Sequence, residues 1–163
     1  MVEMELLGVR LERPANAPVL LLREQGGERV LPIYIGPEEA QSIVRGMEGV
    51  PTPRPLTHDL LRDTVQALGA QVVRITVTSL QDRTFFAELE LRVDGRTVRI
   101  SSRPSDAVAL AVRVDAPIFA AEEVLDEAAT APIDDAVEPE EAEEIVDQFR
   151  EFIDQVNPDD FAG

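Results

Sequence analysis

Residues 84–112, TFFAELELRV-DG-RTVRISSR-PSDAVALAV, have the pattern of a β-hairpin followed by a helix. In its first ten residues every second position is apolar, which is the period of a strand with one buried face: Phe85, Ala87, Leu89, Leu91 and Val93. Asp94-Gly95 predicts a tight two-residue turn, so Val98 and Ile100 are expected to face inward on the returning strand. Pro104 suits the first turn of a helix, where its missing N–H leaves no hydrogen bond unmade. The segment therefore predicts a hairpin with a helix packed against it.

A similar pattern occurs 67 residues earlier, where the run Val19–Leu22 is followed by a glycine turn and a returning strand, Val30–Ile35. Pro32 in that strand cannot donate to a ladder, which predicts an edge strand or a bulge. Pro37 then begins a helix, as Pro104 does. This offset predicts an internal β-β-β-α duplication, although the low identity leaves open two unrelated units of similar pattern. Hairpins without regular βαβ alternation indicate an α+β fold with a mixed, largely antiparallel sheet and packed helices.

Between the two halves, a proline-rich connection leads into another helix, for which Thr57 is a suitable N-cap. Gly69 is a natural end for that helix. One apolar face is expected, formed by Leu60, Leu61, Thr64, Val65 and Leu68.

The acidic residues are concentrated at one end of the chain. Residues 1–120 carry 14 Arg and 16 acids, a net charge of −2, whereas residues 121–163 carry one Arg and 16 acids, a net charge of −15. We predict a domain over 1–129, an acidic linker over 130–139, and an acidic amphipathic helix and tail over 140–163. Such a tail would repel nucleic acid within the roughly 8–10 Å over which charges act at moderate salt.

Several function classes are excluded by what the chain lacks. It has no cysteine, which rules out disulfides, thiolate metal sites and cysteine nucleophiles. It has no Walker loop, no Gly-x-Gly-x-x-Gly, no His-Glu-x-x-His and no Gly-x-Ser-x-Gly. Its apolar runs are too short to cross a bilayer, and its acidic start does not resemble a signal peptide. We therefore expect a cytoplasmic protein with no membrane partner.

The lone histidine, His58, is the first candidate for chemistry, as a general base or metal ligand near neutral pH. The alternative is a histidine that makes a local hydrogen bond at a helix start. Asp59 could orient His58 or bind a metal, or it could be a first-turn acid favoured by the helix dipole.

The second helix start, Arg103-Pro104-Ser105-Asp106, repeats the Arg-Pro pair that precedes His58. Arg54 and Arg103 could clamp a phosphate, or they could pair with surface carboxylates. Ser105 and Asp106 could bind an anion or a metal, or they could serve as caps. A divalent ion, Mg²⁺ or Mn²⁺, would require Asp59, Asp106 and Glu38 to converge from separate segments.

Three strings in this order resemble the bifunctional nuclease family: LPIYIG at 31–36, PRPLTHDL at 53–60 and SRPSDA at 102–107. The resemblance covers roughly residues 3–128. It implies a compact α+β domain, a homodimer, and cleavage of DNA and RNA.

The resulting hypothesis is a metal-dependent nuclease. In it, His58, Asp59 and Asp106 are catalytic, Arg54, Arg103 and Ser105 bind substrate, and Asp59, Asp106 and Glu38 hold the metal. The rival hypothesis is a non-catalytic regulatory or interaction module of the same fold. The distances among these side chains discriminate the two.

Overall fold

A computed structural model of the chain describes residues 1–132, together with 150 and 151. The described part contains seven strands and four helices. They are β1 (Val2–Glu12), β2 (Ala17–Glu24), β3 (Val30–Tyr34), α1 (Pro37–Glu48), α2 (Thr57–Ala67), β4 (Gln71–Gln81), β5 (Thr84–Val93), β6 (Arg96–Ser102), α3 (Pro104–Val114), β7 (Ile118–Ala120) and α4 (Glu122–Ala128). The α+β fold is confirmed. Apart from residues 150 and 151, the predicted C-terminal helix lies outside the described residues, as does the linker beyond residue 132.

Two antiparallel meanders share one sheet, in the order β3-β2-β1-β7-β4-β5-β6. The short strand β7 joins them, since it pairs antiparallel with β1 and parallel with β4. Each meander is followed by a helix with proline in its first turn, α1 or α3, and the N-cap residues Gly36 and Arg103 are 67 positions apart. Pro32 lies on the edge strand β3, as its missing N–H predicts. The repeated β-β-β-α arrangement is therefore present in the fold.

The core lies between the sheet and the helices. Helix α3 is central to it: Ala107, Val108 and Leu110 have no exposed surface. This helix packs on β4 and β5, while α1 packs on β1 and β2, and both α1 and α2 contact α3. Each fully buried leucine contributes about 1.5–3 kcal/mol. Burial of α3 therefore fixes where the starts of α1 and α2 lie relative to its own start.

The edge strand β6 differs from the prediction. Val98 and Ile100 pair with Leu91 and Leu89, so they lie on the same face as those buried residues. Yet Val98 and Ile100 are 40% and 44% exposed. The predicted inward orientation is confirmed, but the two side chains are only partly covered, because β6 ends the sheet and α3 packs on the strands before it.

Helix α2 also differs in two respects. Its N-cap is Leu56 and Thr57 is its first helical residue, so Thr57 is not the cap. Leu60 and Leu68 are 56% and 75% exposed. The predicted apolar face is therefore only partly covered, because α2 contacts the domain along only part of its surface. Its packed apolar side chains are those of Leu61 and Val65.

Over the part of the chain that the structure describes, no helix is long and apolar enough to cross a membrane. The cytoplasmic location and the homodimer stay predictions.

Candidate functional site

A groove of about 680 Å³ lies where the first turns of α1, α2 and α3 meet. Its wall includes ionisable and hydroxyl side chains that could bind a substrate or move a proton, among them Glu38, Glu39, Ser42, Arg45, His58, Arg103 and Asp106. The groove exists because both Arg-Pro motifs precede helices that pack on the same side of the domain. The fold therefore brings His58 and Asp106, which are 48 residues apart, into direct contact.

His58 is held by both ring nitrogens. Its Nε2 lies 2.8 Å from Oδ1 of Asp106, and its Nδ1 lies 2.6 Å from Oγ of Ser42. The His58 side chain is only 11% exposed, so the ring is fixed in place by packing as well as by these contacts. Such fixation is what a general base or a structural crosslink requires.

The protonation of this group follows from the charge on Asp106. Burial alone would raise the pKa of Asp106, but hydrogen bonds from Arg103 and then His58 outweigh it and hold the pKa below its ordinary value. Ionised Asp106 can only accept a hydrogen bond, so Nε2 of His58 carries the proton. In the neutral ring, Nδ1 is then the acceptor. The hydroxyl of Ser42 therefore donates to His58.

Arg103 lies on the solvent side of the contact between His58 and Asp106. Its Nε donates to Oδ2 of Asp106 at 2.8 Å, its Nη2 donates to Oδ1 at 3.1 Å, and its Nη1 donates to Glu39 at 3.1 Å. These contacts raise the pKa of Arg103, the contact with Asp106 most. Because a guanidinium has five N–H groups, two remain that could contact a ligand in the groove.

Arg113 lies on the buried side of the contact between His58, Ser42 and Asp106. Its side chain is 4% exposed, and its Nε donates to Oδ1 of Asp59 at 2.8 Å. Its Nη2 donates to Oγ of Ser42 at 3.2 Å, and its Nη1 donates to the carbonyl of Ala109 at 2.7 Å. The hydrogen bond from Arg113 holds the pKa of Asp59 below its ordinary value. Asp59 also accepts the backbone N–H of Leu56, which caps α2.

The structure brings together some of the sequence-predicted residues and not others. His58, Asp106, Arg103 and Glu38 share the groove. Asp59 lies behind it, and hydrogen bonds link its carboxylate to the His58 ring through the side chains of Arg113 and Ser42. Two predicted substrate-binding residues lie elsewhere. Ser105 is buried and lines a separate depression that also includes Tyr34, while Arg54 is exposed and does not line the groove.

The carboxylates predicted to hold a divalent metal are committed to other partners. Asp106 pairs with Arg103 and His58, and Asp59 pairs with Arg113. Among residues 1–132, 150 and 151, no three His, Asp or Glu side chains are grouped so that they could hold a metal ion. The arrangement does not fit a metal held jointly by Asp59, Asp106 and Glu38. A metal requirement stays a prediction.

Two residues of this network, Ser42 and Arg113, were missed by sequence reasoning. Ser42 follows Glu39 and precedes Arg45 at helical spacing on α1. That i, i+3, i+6 polar stripe beside the buried Ala40 and Ile43 was a usable signal. Arg113 is the only charged residue after Asp106 within α3, and a lone charge in an apolar segment indicates a buried partner.

Two meanders in one sheet, with a histidine held between a carboxylate and a hydroxyl, define an α+β domain that carries a candidate acid–base site. Residues 20–132 match the bifunctional nuclease domain. Because this match covers more than half of the chain, the protein belongs to the bifunctional nuclease domain family.

Three relatives show how far the similarity extends. A protein of Mycobacterium tuberculosis named as uncharacterized is 46% identical over 164 residues, which is 99% of this chain and 98% of that protein. Bifunctional nuclease 2 of Arabidopsis thaliana is 31% identical over 106 residues, 63% of this chain and 32% of the plant protein. Bifunctional nuclease 1 of the same plant is 30% identical over 115 residues, which is 68% of this chain and 35% of that plant protein. The chain thus spans about a third of these plant proteins.

Proposed function

We propose that this protein hydrolyses phosphodiester bonds of DNA or RNA in the His58 groove. The main support for this proposal is the imidazole of His58 on the groove wall. Its Nε2 lies 2.8 Å from Oδ1 of Asp106 and its Nδ1 lies 2.6 Å from Oγ of Ser42. A base in this position can take a proton from a nucleophile at Nδ1. Asp106 keeps the ring in the required tautomer and stabilises the imidazolium that forms.

Cations on the groove wall support a phosphate as the ligand. Arg45 lines the groove and forms no ion pair with any residue that the structure describes. Arg103 contributes its two remaining N–H groups, and forked guanidinium donors match phosphate oxygens. Glu38, Glu39 and Asp106 line the same groove, so its wall carries three carboxylates beside the two arginines. Binding should therefore depend on a few directed contacts.

The test is cleavage of fluorescently labelled single- and double-stranded DNA and RNA oligonucleotides by untagged protein, compared with the His58→Gln variant. Glutamine retains hydrogen bonding but cannot act as a base at neutral pH. We expect cleavage by the wild type and its loss in the variant. A contaminating nuclease would give equal rates in both preparations, and equal rates would contradict the proposal.

Metal dependence is tested in the same assay. We expect the cleavage that depends on His58 to persist in EDTA, because the carboxylates nearest His58 are committed to Arg103 and Arg113. Cleavage that disappears in EDTA and returns with Mn²⁺ or Mg²⁺ would instead support the metal predicted from the sequence. Calorimetric titration of Mn²⁺ into the wild type and the Glu38→Gln variant would then show whether Glu38 is one of the ligands of that metal ion.

An interaction module is the second candidate, favoured by exposed leucines at α2. Leu60 lies within the helix, and Leu56, which is 43% exposed, and Leu68 are the residues that cap its two ends. If these leucines form the interface of the predicted homodimer, the Leu60→Glu/Leu68→Glu variant should sediment as a monomer. The exposed Gln66→Glu change on the same helix is the control. An unchanged mass for the double variant in sedimentation velocity would exclude these leucines as the dimer interface.

A further inference from the structure

We propose that the Oγ of Ser42 is the nucleophile of this site, so that hydrolysis passes through a covalent serine intermediate. The inference rests on the proposed function only for the identity of the substrate. It requires a hydroxyl that can lose its proton, an oxygen that is accessible, and a charge that stabilises the oxygen once the proton has left. Ser42 meets each of these conditions.

The proton of Ser42 is already directed toward a base. Its hydroxyl lies 2.6 Å from Nδ1 of His58, while Nε2 of the same ring is anchored to Asp106. A hydroxyl, a base within hydrogen-bond reach and a third group that orients the base form the general arrangement of an activated nucleophile. Here the serine faces Nδ1 and the acid faces Nε2.

The oxygen of Ser42 is both stabilised and accessible. It accepts one hydrogen bond, at 3.2 Å, from Nη2 of Arg113, whose side chain is 4% exposed. A buried cation favours negative charge on the oxygen as the proton leaves. A hydroxyl oxygen has two lone pairs, so one is left for attack. Ser42 is half-buried and lines the groove, where a phosphate could reach it.

The reaction balances with groups that the chain supplies. Ser42 Oγ forms a bond to phosphorus as its proton passes to Nδ1 of His58. The phosphorus–oxygen bond to the leaving nucleoside breaks, and the imidazolium returns the proton to that oxygen. Water then attacks the phosphorus of the phosphoserine diester while His58 takes one of its protons. The bond from phosphorus to Ser42 Oγ breaks, the imidazolium gives the proton to Oγ, and the nucleotide leaves as a phosphate monoester.

The test uses a fluorophosphonate probe on the full chain, which does not require knowledge of the natural substrate. Attack by Ser42 displaces fluoride and leaves a mass increase that peptide mass spectrometry can locate. We expect labelling of Ser42 about 10²-fold or more faster than that of the exposed Ser101, on the scale that a positioned base contributes. Ser42→Ala should abolish it, His58→Gln should slow it to the rate of Ser101, and Ser101→Ala should change nothing.

A second variant tests the same geometry even where Ser42→Ala alters the packing. The chain contains no cysteine, so Ser42→Cys gives a protein with a single thiol. We expect iodoacetamide to alkylate it faster than the thiol of Ser101→Cys. The advantage should disappear when His58→Gln is added. A Ser42→Cys thiol no more reactive than that of Ser101→Cys would overturn the inference.

The outcomes separate this inference from the proposed function. Labelling at Ser42 without oligonucleotide cleavage would support the nucleophile and refute nucleic-acid hydrolysis. Oligonucleotide cleavage that survives Ser42→Ala would support hydrolysis by water and overturn the nucleophile. Absence of label at Ser42 in the folded wild type would also overturn it.

Discussion

Replacing Asp106 with asparagine should lower the rate of oligonucleotide cleavage by about 10²–10⁴-fold, the contribution of a working base and its orienting acid. Asparagine has the size of aspartate but no charge. Its amide can donate to Nε2 of His58, which places the ring proton on Nδ1 and blocks transfer from Ser42. The variant should be compared with the wild type in single-turnover cleavage assays.

The matched control for this variant is Asp126→Asn on α4, an exposed acid that pairs with Arg29 at 3.4 Å and lies outside the groove lining. It should cleave at the wild-type rate. Thermal unfolding of both variants checks that each is folded. Cleavage by Asp106→Asn within about twofold of the control would show that Asp106 does not serve the chemistry and would favour a structural role for the His58 contact.

The element pattern was readable from the sequence because the local signals agree. Alternation, a tight turn and a proline in a helical first turn each point to the same unit, and the structure has that unit twice. What alternation cannot provide is the position of a strand in the sheet. Val98 and Leu91 have the same local pattern, yet one is exposed and the other buried, because β6 is last in the sheet.

The candidate site was readable only in part, for the same reason. The Arg-Pro motifs identified His58, Asp106 and Arg103 as residues at helix starts. Their contacts join separate segments, and Asp59 meets Arg113 across 54 residues. Local sequence carries no information about which helix ends converge, so Asp59 was assigned to the groove although it lies behind it. The missing knowledge was the packing of α1 and α2 on α3.

Replacing Asp59 with asparagine should destabilise the protein by about 3 kcal/mol, the lower end of the cost of leaving a buried charge without its partner. The Arg113 side chain is 4% exposed and that of Asp59 is 17% exposed. Water therefore cannot replace the lost carboxylate efficiently. Urea unfolding followed by circular dichroism measures the change in the free energy of unfolding.

Asp63→Asn is the matched control, since Asp63 lies on the same helix and pairs with Arg62. This pair is more exposed: the side chain of Asp63 is 47% exposed and that of Arg62 is 33% exposed. Asp63→Asn should change the free energy of unfolding by no more than about 0.5 kcal/mol. A double variant, Asp59→Asn with Arg113→Met, removes both charges and should recover part of the loss. If Arg113→Met adds further loss to Asp59→Asn, the cost arises from packing and not from an uncompensated charge.

The pH dependence gives an independent check on the charge. Because the folded pKa of Asp59 is lowered, its stabilising contribution is fully present above the unfolded pKa, about 3.9. It is lost as the pH falls through the lower folded pKa. The stability gap between the wild type and Asp59→Asn should therefore be constant from neutral pH to about 5 and narrow below about 4. Protonated Asp59 then resembles the amide that replaces it. A gap that stays constant down to acid pH would mean that Arg113 does not depend on the charge of Asp59.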